Sequence, residues 1–308
     1  MATRRVVMLN PRTCGIYKSG KPRYKTDPET GLRTGEIDNE LIAAVNDYLK
    51  IKKSEARVSV ATKETFSKKI LVPTYYDIRY QKDFEELIRK MRCGSITLGE
   101  LIESGIISMK GGHGSPSNDQ RTGCIPYIKV SDIRGLRINV NPTNLVPITV
   151  AKRFWKGDTS GLEAWDLITP NRASSNIGEF AILLPGEQDI VLTKEVFVLR
   201  VLLREKEIDP FYLLWALSLN AVRQQWKRIA LMQTNREDCG DRYREIVIPW
   251  FSRKSRAREV SEAFRVFFGK IATSREEFLN TLSKDIFIYN ANVTAQNFAE
   301  FTCEQSSG

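Results

Sequence analysis

One histidine, His113, stands in 308 residues. Acid–base or nucleophilic chemistry built on imidazole therefore has a single candidate, and no cysteine or carboxylate accompanies it at a motif spacing. A lone histidine in a glycine-rich stretch is expected to be exposed to solvent. The five cysteines, Cys14, Cys93, Cys124, Cys239 and Cys303, lie far apart and form no CxxC pair, which argues against a zinc ribbon or a redox dithiol. Their odd, scattered number reads as reduced and intracellular. No apolar run approaches the ~18 residues of a membrane-crossing helix. The N-terminal MATRRVVMLNPR has too short an apolar stretch for a secretory signal. The expected location is cytoplasmic. HExxH, Walker and GxSxG patterns are absent. Gly111, Gly112 and Gly114 have no helix behind them to complete a phosphate-binding turn. Cys93, His113 and Cys124 do not suggest a metal site. No cofactor, no metal and no complete active site are expected.

What is present is a core and a positive charge. The hydrophobic fraction of 42% supports a folded chain, and the net charge of +10 favours an anionic partner, most often nucleic acid. Residues 1–90 hold 19 Lys+Arg against 12 Asp+Glu, so most of the imbalance lies there.

Pattern and punctuation predict the elements. Residues 10–38, rich in Gly, Pro, Lys, Arg and Thr, read as an extended arm or loop. A helix is expected from Asp38 to about Lys53, one or two strands over 68–80, and a helix over 82–92. Ser95 or Thr97 caps a short helix ending at Gly105, and Glu100 stands at capping-box spacing from Thr97. A polar loop over 111–122 precedes a strand over 125–131, and residues 160–205 are β-rich. Asp209 and Pro210 open a helix running to about Ile229. A strand over 244–250 leads to a helix over 255–286. On that helix Val260, Phe264, Phe267, Ile271 and Phe278 fit heptad a and d positions, interrupted at Ser274. On pattern alone such a stripe is expected first of an amphipathic helix lying on its own domain, and second of a helix that projects to pair with a partner.

Side chains able to read DNA gather in a few segments. Loop 111–121 offers Ser115, Ser117, Asn118, Gln120 and Arg121, with Lys129 on the strand behind. Loop 170–178 offers Asn171, Arg172, Ser174, Ser175 and Asn176. Arg223, Lys227 and Arg228 end one helix, and Gln233, Asn235 and Arg236 follow it. Arginine and lysine suit guanine edges and phosphates, asparagine and glutamine suit adenine edges, and small hydroxyls suit phosphates. Each alone is ordinary surface chemistry; the grouping carries the weight.

The order of segments adds to this. TLGELIESGIISMKGG, GCIPYIKVSDI, WDLITPNRASSNIG, DPFYLLWAL and IP, followed by a long helix, resembles the target recognition domain of type I restriction-modification specificity subunits. The likeness covers about residues 95–286. The stretch from Cys14 to Tyr24 and on to Leu41 resembles the C-terminal part of adenine-specific DNA methyltransferases. Asn10-Pro11 matches only the first half of their (N/D)PP(Y/F) motif.

The resemblance implies an α+β fold: a β-rich target recognition domain over 91–252 with flanking helices, a long spacer-type helix over 253–290 and a tail over 291–308. Residues 1–90 would be a basic arm and helix resembling a methyltransferase tail. It implies sequence-specific recognition of double-stranded DNA that directs an adenine methyltransferase, with or without a nuclease, to its site. The implied partners are duplex DNA, a methyltransferase subunit, and a second copy or second recognition half. A helix of about 30 residues would span roughly 45 Å and set half-site distance as a ruler. Family members carry two recognition domains and two spacer helices, whereas this chain shows one of each, and PWFSRKSRAREV replaces their proline-glutamine patch. Two alternatives stay open: the C-terminal part of an active DNA adenine methyltransferase, and a protein-interaction module with no role on DNA.

Overall fold

The structure, a computed structural model, describes residues 5–17, 19–50, 58–62, 70, 72–202, 208–231, 238–282 and 284. It is α+β, built from several small sheets and a long C-terminal helix. The chain divides into two compact units, residues 1–86 and 87–308.

The first unit contains β1 (Arg5–Leu9), β2 (Tyr24–Thr26), β3 (Arg33–Ile37), α1 (Leu41–Leu49) and β4 (Val58–Thr62). β1 pairs antiparallel with β4, and β2 with β3. The expected arm over 10–38 is thus corrected to a hairpin. Its turn is set by Asp27, whose carboxylate accepts from the Glu29 and Thr30 N–H groups, and by Gly31 at φ +70. Arg23 pairs with Asp38 at 2.8 Å to close the open end. Most of its side chains are exposed, so no apolar alternation marks the strands. The expected strand over 68–80 is corrected too: Pro73–Tyr76 form a 3-10 turn, and α2 (Arg79–Met91) starts at Arg79. Proline at the first turn position has the φ that a helical turn needs. Arg79 makes a fork to Asp77, reaches Glu40 at 3.2 Å and donates to the Asn10 carbonyl at 2.6 Å. α1 is shorter than expected, and residues 51–53 of the expected helix lie outside the described residues.

The second unit opens with β5 (Gly94–Thr97), α3 (Leu98–Glu103), β6 (Ile107–Gly111), β7 (Ile125–Ile128), β8 (Ile133–Arg134), β9 (Arg137–Ile138), β10 (Leu145–Val146) and α4 (Ile148–Trp155). It continues with β11 (Leu167–Pro170), β12 (Ala181–Ile182), β13 (Val191–Leu192), β14 (Val196–Val201), α5 (Pro210–Ser218), α6 (Asn220–Ile229), β15 (Val247–Trp250) and α7 (Lys254–Leu282). One antiparallel sheet has the order β12-β11-β14-β6, a second the order β10-β7-β13 with β13 parallel to β7, and β15 pairs with β5. Ile128, Ile168, Leu183, Leu192 and Val198 form the core between the two larger sheets. A second cluster, Ile125, Tyr127, Val146 and Val150, lies beneath α4.

Local chemistry explains the helix ends. The Thr97 hydroxyl accepts from the Glu100 N–H at 3.0 Å and Glu100 accepts from the Thr97 N–H at 2.8 Å, the expected capping box. Asp209 accepts from the Tyr212 N–H at 2.9 Å with Pro210 in the first turn, also as expected. The helix from Pro210 nevertheless breaks before Ile229. The Ser218 hydroxyl donates back to the Leu214 and Trp215 carbonyls, and Leu219 leaves the helical region at ψ 134. Asp166, 1% exposed, is forked by Arg200 of β14 at 2.7 and 2.6 Å, tying the start of β11 to its neighbour.

α7 packs on α5. Its buried residues are Ala257, Ser261, Phe268 and Leu279, a stripe beside the expected one. Of the expected seam, Val260, Phe264 and Ile271 are half-buried at the edge, whereas Phe267 and Phe278 are 58% and 60% exposed. One face of the helix therefore lies on its own unit, and an apolar ridge runs next to it facing water.

Candidate nucleic-acid interface

The loop between β6 and β7 is held at both ends by glycines that let main chains approach closely. A Cβ on Gly112 would lie 2.1 Å from the Thr193 carbonyl oxygen, and one on Gly123 would lie 2.0 Å from the Pro147 nitrogen. Gly112 N–H donates to Val196 O at 3.0 Å, Gly114 N–H to Leu192 O at 3.0 Å, and Gly123 N–H to Leu145 O at 3.1 Å. The loop is thereby fastened across β13, β14 and β10.

His113 is part of the fastening, which corrects its expected solvent exposure. The half-buried ring accepts the Leu192 N–H at Nδ1, 3.0 Å away, and donates from Nε2 to the Ser160 carbonyl at 2.9 Å. Both nitrogens are occupied only in the neutral ring, and burial lowers its pKa below the usual histidine value. Neither nitrogen is left for a metal. Among the described residues no group of three His, Cys, Asp or Glu could hold one. Cys239, the buried thiol, is pushed up to about 12 by burial and stays protonated.

The loop tip points outward. Ser115, Ser117 and Asn118 are exposed, and Gln120 accepts the Ser117 N–H at 3.2 Å to close a turn. Ser115 lies 3.1 Å from the Thr193 hydroxyl. Arg121 lies 5.1 Å over the Tyr127 ring and donates to the Pro116 carbonyl at 3.0 Å. Lys129 stands 5.9 Å from the same ring. Tyr127, a supporting residue that sequence reasoning missed, thus steadies two cations. Its place in the alternating IPYIKV run was the available signal.

The loop over 170–178 lies elsewhere than expected. Asn171 and Asn176 are only 6% and 2% exposed. The Asn171 amide donates to Lys194 O at 3.1 Å, and the Asn176 amide to Val130 O and Ile133 O at 2.8 and 3.2 Å. Arg172 is paired with Glu195 at 2.6 Å and Asp238 at 2.8 Å. Asn171 and Asn176 are thus corrected from base-facing positions to buried braces between strands and loops, and Arg172 is a half-buried guanidinium held by two carboxylates. At the end of the loop Gly178, at φ +80, lies against α6, where a Cβ would meet Arg223 O at 2.9 Å. Ser174 is half-buried and Ser175 is exposed, with the Ser175 hydroxyl donating to Asn176.

On α6, Arg223 pairs with Glu179 and Arg228 with Glu245, each at 3.2 Å, while Lys227 is exposed. Gln233, Asn235 and Arg236 lie outside the described residues. The structure therefore gathers Ser115, Ser117, Asn118, Gln120 and Arg121 on one loop with Lys129 behind it, and places the braces next door: Ser115 meets Thr193, while Asn171 and Arg172 meet Lys194 and Glu195.

No family model matches the chain, and no curated protein matches it. Among solved structures it is similar to a type I restriction-modification S subunit from M. genitalium, at 15% identity and TM-score 0.39, over 61% of this chain and 41% of that one. It is similar to the HsdS subunit from Thermoanaerobacter tengcongensis at 14% identity and TM-score 0.35, over 59% of this chain and 38% of that one. A third likeness is to the type IIG restriction endonuclease BpuSI, at 12% identity and TM-score 0.42, over 73% of this chain and 32% of that one. The chain spans about two fifths of the length of the first two. Among the described residues no helix is long and apolar enough to cross a membrane.

Proposed function

We propose that this chain reads double-stranded DNA sequence for a restriction-modification system. In this reading it is a non-catalytic, cytoplasmic component that directs an adenine methyltransferase, and through the same complex a nuclease, to a site. The second unit is the target recognition domain, residues 1–90 are the methyltransferase-like tail, and α7 is the spacer helix. One observation carries the reading: the loop Gly112–Gly123 is fastened to main chain at both ends and presents Ser115, Ser117 and Asn118 to solvent, with Gln120 and Arg121 half-buried beside them. Base reading needs donors and acceptors held in register by a rigid support, and this loop has that support. Two of the segments that resemble the recognition domain, TLGELIESGIISMKGG and GCIPYIKVSDI, flank the loop.

The ridge of Val260, Phe264, Phe267, Ile271 and Phe278 is the proposed seat of a partner helix, from the methyltransferase subunit, a second recognition half or a second copy. The test is selection of bound duplexes from a random pool by the full chain, with and without an adenine methyltransferase. Enrichment of one recurrent sequence is expected, altered by Ser117→Ala with Asn118→Ala. A pool that stays random under both conditions overturns the proposal.

A further inference from the structure

Away from that loop, the end of α2, the β5–β15 pair and the first turn of α7 enclose an open cavity of about 730 Å3. Sites for small organic ligands usually measure ~300–1,000 Å3. The lining includes Arg92, Arg253 and Arg256, one carboxylate, Glu259, together with Ser252 and Trp250.

Arg172, Arg200, Arg223, Arg244 and Arg265 each reach a carboxylate. In the cavity only Arg256 does so, to Glu259. Among the described residues the Arg92 and Arg253 guanidiniums have no carboxylate partner, and Trp250, half-buried, stacks on no other ring. Two exposed guanidiniums beside a tryptophan free of ring partners suit a ligand that is anionic at one end and flat and aromatic at the other. Guanidinium forks match phosphate oxygens, and an aromatic face accepts any nucleobase. Cys93, also in the wall, has its thiol pKa raised by burial, so the cavity offers binding rather than a nucleophile.

We propose that this cavity binds a nucleoside phosphate, with the phosphate on Arg92 and Arg253 and the base against Trp250. The source is either a free nucleotide or one nucleotide of an unpaired strand. None of the proposed base-reading side chains lines the cavity, so this claim and the duplex-reading claim fail separately.

The test is a titration of the full chain with ATP and with a labelled twelve-nucleotide oligothymidine at low salt, read by tryptophan quenching and by anisotropy. Saturable binding is expected from at least one probe. ATP alone assigns a free nucleotide, and the oligonucleotide alone assigns a strand. The double variant Arg92→Ala, Arg253→Ala should bind at least tenfold more weakly. Ser252→Asp, which sets a negative charge at the cavity wall, should do the same, both with an unchanged circular dichroism spectrum. Failure of both probes to bind, or wild-type affinity in both variants, overturns the proposal.

Discussion

Removing the Arg200 side chain as Arg200→Met would leave Asp166 buried and charged. The carboxylate would lose both fork contacts, 2.7 and 2.6 Å, and keep only the Glu163 N–H at 2.8 Å among the hydrogen bonds described. Breaking a buried ion pair on one side costs about 3–5 kcal/mol, because the surviving charge is uncompensated. Arg200 also holds Glu163 at 2.6 Å and the Gly161 carbonyl at 2.8 Å, but Glu163 is largely exposed and that pair adds little. All five tryptophans, Trp155, Trp165, Trp215, Trp226 and Trp250, lie in the second unit, so intrinsic fluorescence reports its unfolding alone. With a urea slope of ~2 kcal/mol/M, a loss of about 4 kcal/mol moves the midpoint down by about 2 M. The double variant Asp166→Leu, Arg200→Met should recover most of that loss, since an apolar pair of similar volume is often neutral. A midpoint shift below about 0.3 M in Arg200→Met, or a double variant as unstable as the two single losses summed, would refute the reasoning.

The other expectations are more local. Since burial lowers the His113 pKa in the folded state, the unfolded chain binds more protons below the ordinary histidine value of 6.5. Stability should therefore fall as pH drops through that value, and His113→Gln should flatten the fall in fluorescence-monitored unfolding. Thr97→Ala removes a capping box and should cost about 1 kcal/mol in the same assay. Arg172→Ala should lower stability while leaving the ratio of specific to nonspecific DNA affinity unchanged, because its guanidinium is held by Glu195 and Asp238. Asn118→Ala should do the reverse, lowering that ratio without moving the unfolding midpoint.

Some of this was legible in residue order. Thr97 with Glu100 and Asp209 with Pro210 are short-range patterns whose partners lie within three residues, and no distant contact was needed to find them. The β2–β3 hairpin was hidden because neither face is buried, so apolar alternation had nothing to report. The break falls at Leu219, whose ψ of 134 leaves the helical region, and an apolar residue there gives no warning in the composition. The site was half visible for a related reason. An asparagine that reads an adenine edge and one that caps strand carbonyls use the same amide. Only the burial of Asn171 and Asn176 against Lys194, Val130 and Ile133 separates those roles. On α7 the heptad spacing was visible, but the face turned to α5 is set by Ala257 and Ser261, small residues that hydropathy barely registers.

The platform under the Gly112–Gly123 loop has a bearing on how the chain is made. Leu192, Thr193 and Val196, which receive the loop, follow it by some 70 to 80 residues. During synthesis the tip leaves the ribosome well before its seat exists, and closing so long an interval is entropically slow. A nascent chain stalled before residue 190 would hold the loop only at its Gly123 end, on Leu145 of β10, so the fastening at Gly112 and Gly114 arrives only once β13 and β14 have emerged.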